Sequence, residues 1–199
     1  MNNNAFVKRT AGNLSADRTS FRKHSLARSI AVWAQRPAAW SVLAGSLPAL
    51  AMAQMPTGGQ VAAGAATISE PGANQMVINQ SSNRAILNWQ GYSIGSEGYV
   101  QYVQPDRSAV ALNRVVGSDP SSMLGRLSAN GQVFLVNPNG VFFGANATVD
   151  VAGIVATTMN IRDEDFMAGA YQFRRDPNMR PDATVINEGS LNANGGYVV

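Results

Sequence analysis

Beyond residue 60 the apolar positions fall into short runs bounded by Gly, Asn and Pro, the punctuation of strands and turns. Val133 to Val136 is apolar throughout, and so is Val141 to Phe143. Such unbroken runs predict strands covered on both faces. Gln75–Gln80 and Tyr99–Val103 alternate instead, which predicts strands with one wet face. Further short strands are expected at Ala65–Ser69, Arg84–Trp89, Ser108–Val116, Thr148–Val151 and Ile154–Thr158, with three more between Ala183 and Val199. Gln54–Gly64 is small and flexible, an entry segment. Asp119–Leu127 is expected to open with a helical turn, because Pro120 suits a first helical position. Ile161–Phe173 predicts one short helix with Phe166 and Met167 inward and its acids outward.

Between the two unbroken runs stands Asn137-Pro138-Asn139-Gly140, a four-residue turn. Asn137 is suited to bond backbone further on, Pro138 pre-sets φ at the first corner, Asn139 tolerates the bridge or left-handed region, and Gly140 closes. On that reading Asn139→Val costs more than Asn137→Ala. The spacing from Val133 through Val149 to Ile154, and again from Val185 to Val198, predicts stacked coils of about 20 residues. Asn at the corners is expected to bond one coil away. The rival fold is an antiparallel sandwich, and the scarcity of two-residue hairpin signals favours the coil.

Charge divides the sequence. Its net +3 conceals a basic leader: residues 1–53 carry seven Lys/Arg against Asp17, whereas residues 54–199 carry eight Arg, no Lys and eleven Asp/Glu. The latter part gives no electrostatic case for nucleic acid. Residues 1–36 are basic, Ala38–Leu50 is apolar, and Ala51-Met52-Ala53 is a small-x-small site. These make residues 1–53 a long secretory signal peptide, exported by the Sec translocon and cut by signal peptidase between Ala53 and Gln54. The apolar block is shorter than the roughly 20 residues of a membrane span.

The 199 residues contain no cysteine, which excludes disulfides, thiolate metal sites and a Cys nucleophile. The one histidine, His24, lies in the leader, so residues 54–199 have no His-based acid–base or metal chemistry. Asp163-Glu164-Asp165 reads as a solvated loop rather than a Ca²⁺ site or a catalytic pair, since adjacent carboxylates diverge. Trp89, Tyr92 and Tyr102 have the chemistry to stack on glycans but are expected in the core. No cofactor or catalytic residue is expected.

In order along the sequence stand Met76-Val-Ile-Asn-Gln80, Ala85-Ile-Leu-Asn-Trp89, Val103-Gln-Pro105, Ala109-Val-Ala-Leu-Asn-Arg-Val115, Gly131–Val141 and Asp165-Phe166. This series resembles the N-terminal two-partner secretion (TPS) domain of filamentous-haemagglutinin-like bacterial exoproteins. The resemblance implies an all-β fold: a right-handed parallel β-helix with an N-terminal cap and a small extra-helical antiparallel sheet. It places that domain at residues 54–199. It implies recognition by an outer-membrane β-barrel transporter with periplasmic POTRA modules, and a product secreted or held at the cell surface by way of the periplasm. The residues it implicates in transporter recognition and folding are Asn79, Gln80, Asn88, Trp89, Asn113, Arg114, Asn137, Pro138, Asn139 and Gly140. Where some members carry a second Asn-x-x-Gly corner, this sequence has Asp150-Val-Ala-Gly153. The coil pattern is still running at Val199, as expected of a truncated product. The alternatives are an adhesin that binds host glycan or protein directly and a β-helix polysaccharide-cleaving enzyme.

Overall fold

The computed structural model describes residues 54–199. The leader and the small-x-small site at Ala51 and Ala53 lie outside the described residues. The elements in order are β1 (Gln60–Ala63), β2 (Ala66–Gly72), β3 (Gln75–Gln80), β4 (Arg84–Trp89), β5 (Tyr99–Val103), β6 (Val110–Val115), β7 (Ser121–Met123), β8 (Arg126–Ala129), β9 (Gln132–Val136), β10 (Val141–Phe143), β11 (Thr148–Val151), β12 (Gly153–Thr157), α1 (Asp163–Met167), β13 (Val185–Asn187) and β14 (Ser190–Ala193).

These strands form three sheets, ordered β1-β4-β6-β9-β12, β13-β10-β7 and β14-β11-β8-β5-β3-β2. Within the coils, successive strands go to different sheets, and each pairs in parallel with the strand one coil away. Val133 aligns with Ile154, and Leu127 with Val149, so a coil takes roughly 20 residues, as the spacing predicts. The fold is a parallel β-helix, and the parallel registers exclude the sandwich.

The inner faces stack like on like. Met76, Val100, Leu127, Val149 and Leu191 align in one ladder. Ala85, Ala111, Val133 and Ile154 align in another. A single coil cannot bury these side chains; only its neighbours do. At one end the direction reverses: β1 runs antiparallel to β4, and β2 antiparallel to β3, capping the stack. The segment read as a flexible entry thus contains β1, whose small residues find a sheet edge that local pattern does not reveal.

The run Val133–Val136 is covered on both faces, as expected, whereas in Val141–Phe143 the outward residue Phe142 is only half-buried. Val133 and Leu135 enter the inner core, while Phe134 and Val136 join a second, outer cluster with Ile86, Val110, Leu112 and Val155. An excursion after β12 supplies the cover through Ile161, Phe166, Met167, Tyr171 and Phe173. The predicted helix is α1, with Phe166 fully buried. The Phe134 ring meets Phe166, Tyr171 and Phe173 at centroid distances of 6.0, 4.9 and 6.0 Å. Beyond α1 the excursion closes by an antiparallel bridge between Asn160 and Arg174, outside the coil.

Between Ala183 and Val199 two strands form where three are expected, and Val198 makes only an isolated bridge to Ile154. Another local expectation also fails. Ser121–Met123 is a strand, not a helical turn. Its backbone is claimed by β10, with Ser121 aligned to Val141 and Met123 to Phe143. Pairing along the stack overrides the local preference set by Pro120.

Candidate functional site

Most of the residues singled out in the sequence fall into three places. The first is the corner between β9 and β10. Asn137 N–H donates to Thr157 O of the next coil at 2.9 Å. Its side chain is fully buried and faces the preceding coil, where Nδ2 donates to Asp119 O at 3.0 Å and Ser121 Oγ at 2.9 Å. Its Oδ1 accepts from Asn139 N–H at 2.9 Å and from Asn139 Nδ2 at 3.0 Å. Asn139 Nδ2 also donates to Gly117 O at 2.9 Å. Gly140 N–H donates to Asn137 O at 3.1 Å and closes the turn. Both asparagines bond one coil away, as expected of corner residues. The left-handed backbone, φ +115°, falls on Gly140. A Cβ there would also stand 3.2 Å from Thr184 O. The Asn139 amide bonds to the preceding coil from a half-buried position, whereas the Asn137 amide is fully buried. Pro138 is half-buried, and its carbonyl accepts from Arg180 N–H at 3.1 Å.

The second place is inside the coil. Asn113 sits between Leu87 and Leu135 in the ladder of inward residues and is fully buried. Its Oδ1 accepts from Trp89 Nε1 at 3.0 Å and Tyr102 OH at 2.6 Å. Tyr102 OH pairs in turn with Tyr92 OH at 2.8 Å. Asn113 Nδ2 reaches Ala111 O and Phe134 O. Burial pushes both phenols above the ordinary value of 10.0, and at Tyr102 the neighbouring Tyr92 adds to it. Trp89, Tyr92 and Tyr102 are each about 1% exposed, so none presents a ring on which a glycan can stack.

The third place is the outer face of the β1-β4-β6-β9-β12 sheet. Arg114 Nε donates to Asn160 Oδ1 at 2.9 Å, and an Nη donates to Ile161 O at 2.6 Å. Its other Nη lies 2.7 Å from Asp163 Oδ1 and reaches Asn88 Oδ1 at 3.5 Å. This one guanidinium ties the coil to the start of the excursion, a role its fixed fork of donors suits. Asp163 is thus an anchor rather than a free loop acid, and Asp165 pairs with Arg162 at 2.8 Å. Side-chain hydrogen bonding to Arg162 holds the Asp165 carboxyl below the usual range.

Gln80 is buried in a corner stack with Gln104, which the resemblance includes in Val103-Gln-Pro105 without giving it a role. Gln104 Nε2 donates to Gln80 Oε1 at 3.1 Å, and Gln104 Oε1 accepts from Gly131 N–H at 3.1 Å. A Cβ at Gly131 would lie 2.6 Å from that Oε1, so the close approach requires glycine. Asn130 grips the Gln104 backbone with both ends of its amide, each at 2.7 Å. Asn160 and Asp176 were missed; Asn160 Nδ2 donates to Asp176 Oδ2 at 2.7 Å. Their signal is a polar residue bounding an apolar run, too common to stand out. Asn79 is exposed and belongs to none of the three places.

The TPS secretion domain model matches residues 53–199. The chain belongs to the TPS secretion domain family. A heme/hemopexin-binding protein of Haemophilus influenzae is 40% identical over 126 residues, covering 63% of this chain and 13% of that protein. A heme/hemopexin-binding protein from a second strain is 37% identical over 139 residues, covering 69% and 15%. The crystal structure of the HMW1 secretion domain from H. influenzae aligns with a TM-score of 0.64 and 34% identity, over 67% of this protein and 35% of that one. The TPS protein thus spans only a small part of the length of these curated relatives. The family is a secretion domain of exoproteins that cross the outer membrane, and it is not an enzyme family.

Proposed function

We propose that residues 54–199 are the secretion-targeting domain and folding nucleus of a larger exoprotein, recognised by the periplasmic POTRA modules of an outer-membrane β-barrel transporter. Residues 1–53 serve as the signal peptide, taking the polypeptide through the Sec translocon, with signal peptidase cutting before Gln54. The observation that carries this reading is the TPS family match, which runs from residue 53 to residue 199. The lack of cysteine in the sequence supports it, since no disulfide can lock the polypeptide in the periplasm before the second crossing.

Co-expression with a TPS transporter tests the reading. The protein is expected in the medium or at the surface only when the transporter is present, with a mature N-terminus at Gln54. Export independent of the transporter would sink the targeting role. A mature N-terminus upstream of Trp40 would rule out the cleavage site alone.

A further inference from the structure

Asn-Gly occurs at three places in the sequence: Asn130-Gly131, Asn139-Gly140 and Asn194-Gly195. This dipeptide is chemically labile, because no side chain on glycine hinders its amide nitrogen. That nitrogen attacks the asparagine Cγ and closes a succinimide. The bond from Cγ to Nδ2 breaks and ammonia leaves. Water then opens the ring at either carbonyl, giving isoaspartate or aspartate. The reaction consumes only water and needs two freedoms: an unengaged glycine N–H and an asparagine amide able to turn towards it.

The fold removes both freedoms at two of the three sites. At the first, Gly131 N–H is held by Gln104 Oε1, and the Asn130 amide is held at both ends by the Gln104 backbone. At the second, Gly140 N–H is held by Asn137 O, and Asn139 Nδ2 by Gly117 O and Asn137 Oδ1. The third site differs. Asn194 and Gly195 are exposed, and among the described residues neither the Asn194 amide nor the Gly195 N–H has a hydrogen-bond partner. Gly195 sits at φ +68° in the turn after β14.

We propose that Asn194 is a deamidation site of the folded domain, and that Asn130 and Asn139 are deamidation sites of the unfolded polypeptide alone, shielded once the coils stack. The consequence is asymmetric. Isoaspartate at 194 alters an exposed turn. Isoaspartate at 139 lengthens the backbone by a methylene and removes the Nδ2 donor to Gly117 O, and aspartate sets a carboxylate oxygen where that donor stood, so in either product the corner loses its bond to the preceding coil. A polypeptide that waits unfolded therefore loses the ability to fold at the positions on which its folding depends.

The test is to incubate the purified protein at mildly alkaline pH, native and in urea, and to map peptides by mass spectrometry with isoaspartate detection. In the native protein Asn194 is expected to convert at close to its rate in urea. Conversion at Asn130 and Asn139 is expected to be at least about tenfold slower native than in urea, because it then requires local opening. Equal rates at Asn139 in both conditions would overturn the shielding, and an intact Asn194 in the native protein would overturn the site. An Asn194→Gln variant checks the assignment: it should abolish the native-state isoaspartate and leave the products in urea at the other two sites unchanged.

Discussion

Asn137 is the residue on which the corner depends. Four hydrogen bonds converge on its side chain, and removing the amide leaves Ser121 and the Asn139 N–H short of partners in a closed space. Asn137→Ala is expected to cost about 1–3 kcal/mol, the range for stranding buried polar groups. Asn139→Ala, which removes a half-buried amide, should cost less, about 0.5–1.5 kcal/mol. Urea midpoints of the two variants give the order, and an Asn139 variant weaker than the Asn137 one would refute it. The buried phenols make a second prediction at this scale. Their folded-state pKa values are raised, so the neutral form is favoured by folding. Their contribution to stability is fully present below the unfolded phenol value, near pH 10, and is lost as pH rises above it. The urea midpoint should therefore fall on the alkaline side, and the Tyr92→Phe/Tyr102→Phe double variant should show a shallower fall. An unchanged slope would mean that these two hydroxyls do not set it. Cross-coil partners explain what the sequence conceals here. The turn chemistry of Asn137 to Gly140 is legible, but Asp119, Ser121 and Gly117 become partners only after a coil has closed.

The excursion between β12 and β13 is the element that covers the outer apolar residues of β4, β6, β9 and β12. Phe166 is its deepest point, packed edge-on to Phe134. Phe166→Ala is expected to destabilise by about 3–5 kcal/mol, the range for large-to-small aromatic substitutions in a core. Denaturant titration measures it, and a cost below about 1 kcal/mol would mean that the excursion is not part of the cooperative unit. At this scale the sequence is largely readable. Unbroken apolar runs at Val133–Val136 announce a covered face, and the helix that covers it is announced by Phe166 and Met167 among acids. β1, β7 and β8 escape because their short polar and small-residue segments are strands only by courtesy of a neighbouring edge.

At the scale of the molecule, the alternating strand β3 and the apolar strand β6 have no free edge when folded. β3 lies between β2 and β5, and β6 between β4 and β9. Recognition by strand addition thus requires the unfolded polypeptide. Unfolded protein, supplied by a slow-folding variant, is expected to bind purified POTRA modules more tightly than folded protein in calorimetry. Equal or tighter binding by the folded form would overturn strand addition and leave the family assignment intact. The coil architecture was legible as a period, whereas the antiparallel cap was legible only through the family resemblance, because Gln60–Ala63 carries no strand signal of its own.

That cap gives the molecule a direction. β2 contains Pro71, which has no N–H to offer, and its pairing slips between Ser69 and Gly72; β1 slips between Val61 and Ala63. Irregular strands of this kind make a poor template for another molecule. β14, at the far side of the same sheet as β2, pairs with β11 in unbroken parallel register. The stack resembles a seed crystal with one poisoned face: the irregular pairing at the cap discourages a second molecule, while the ladder that ends at β14 keeps the regular register of the coils.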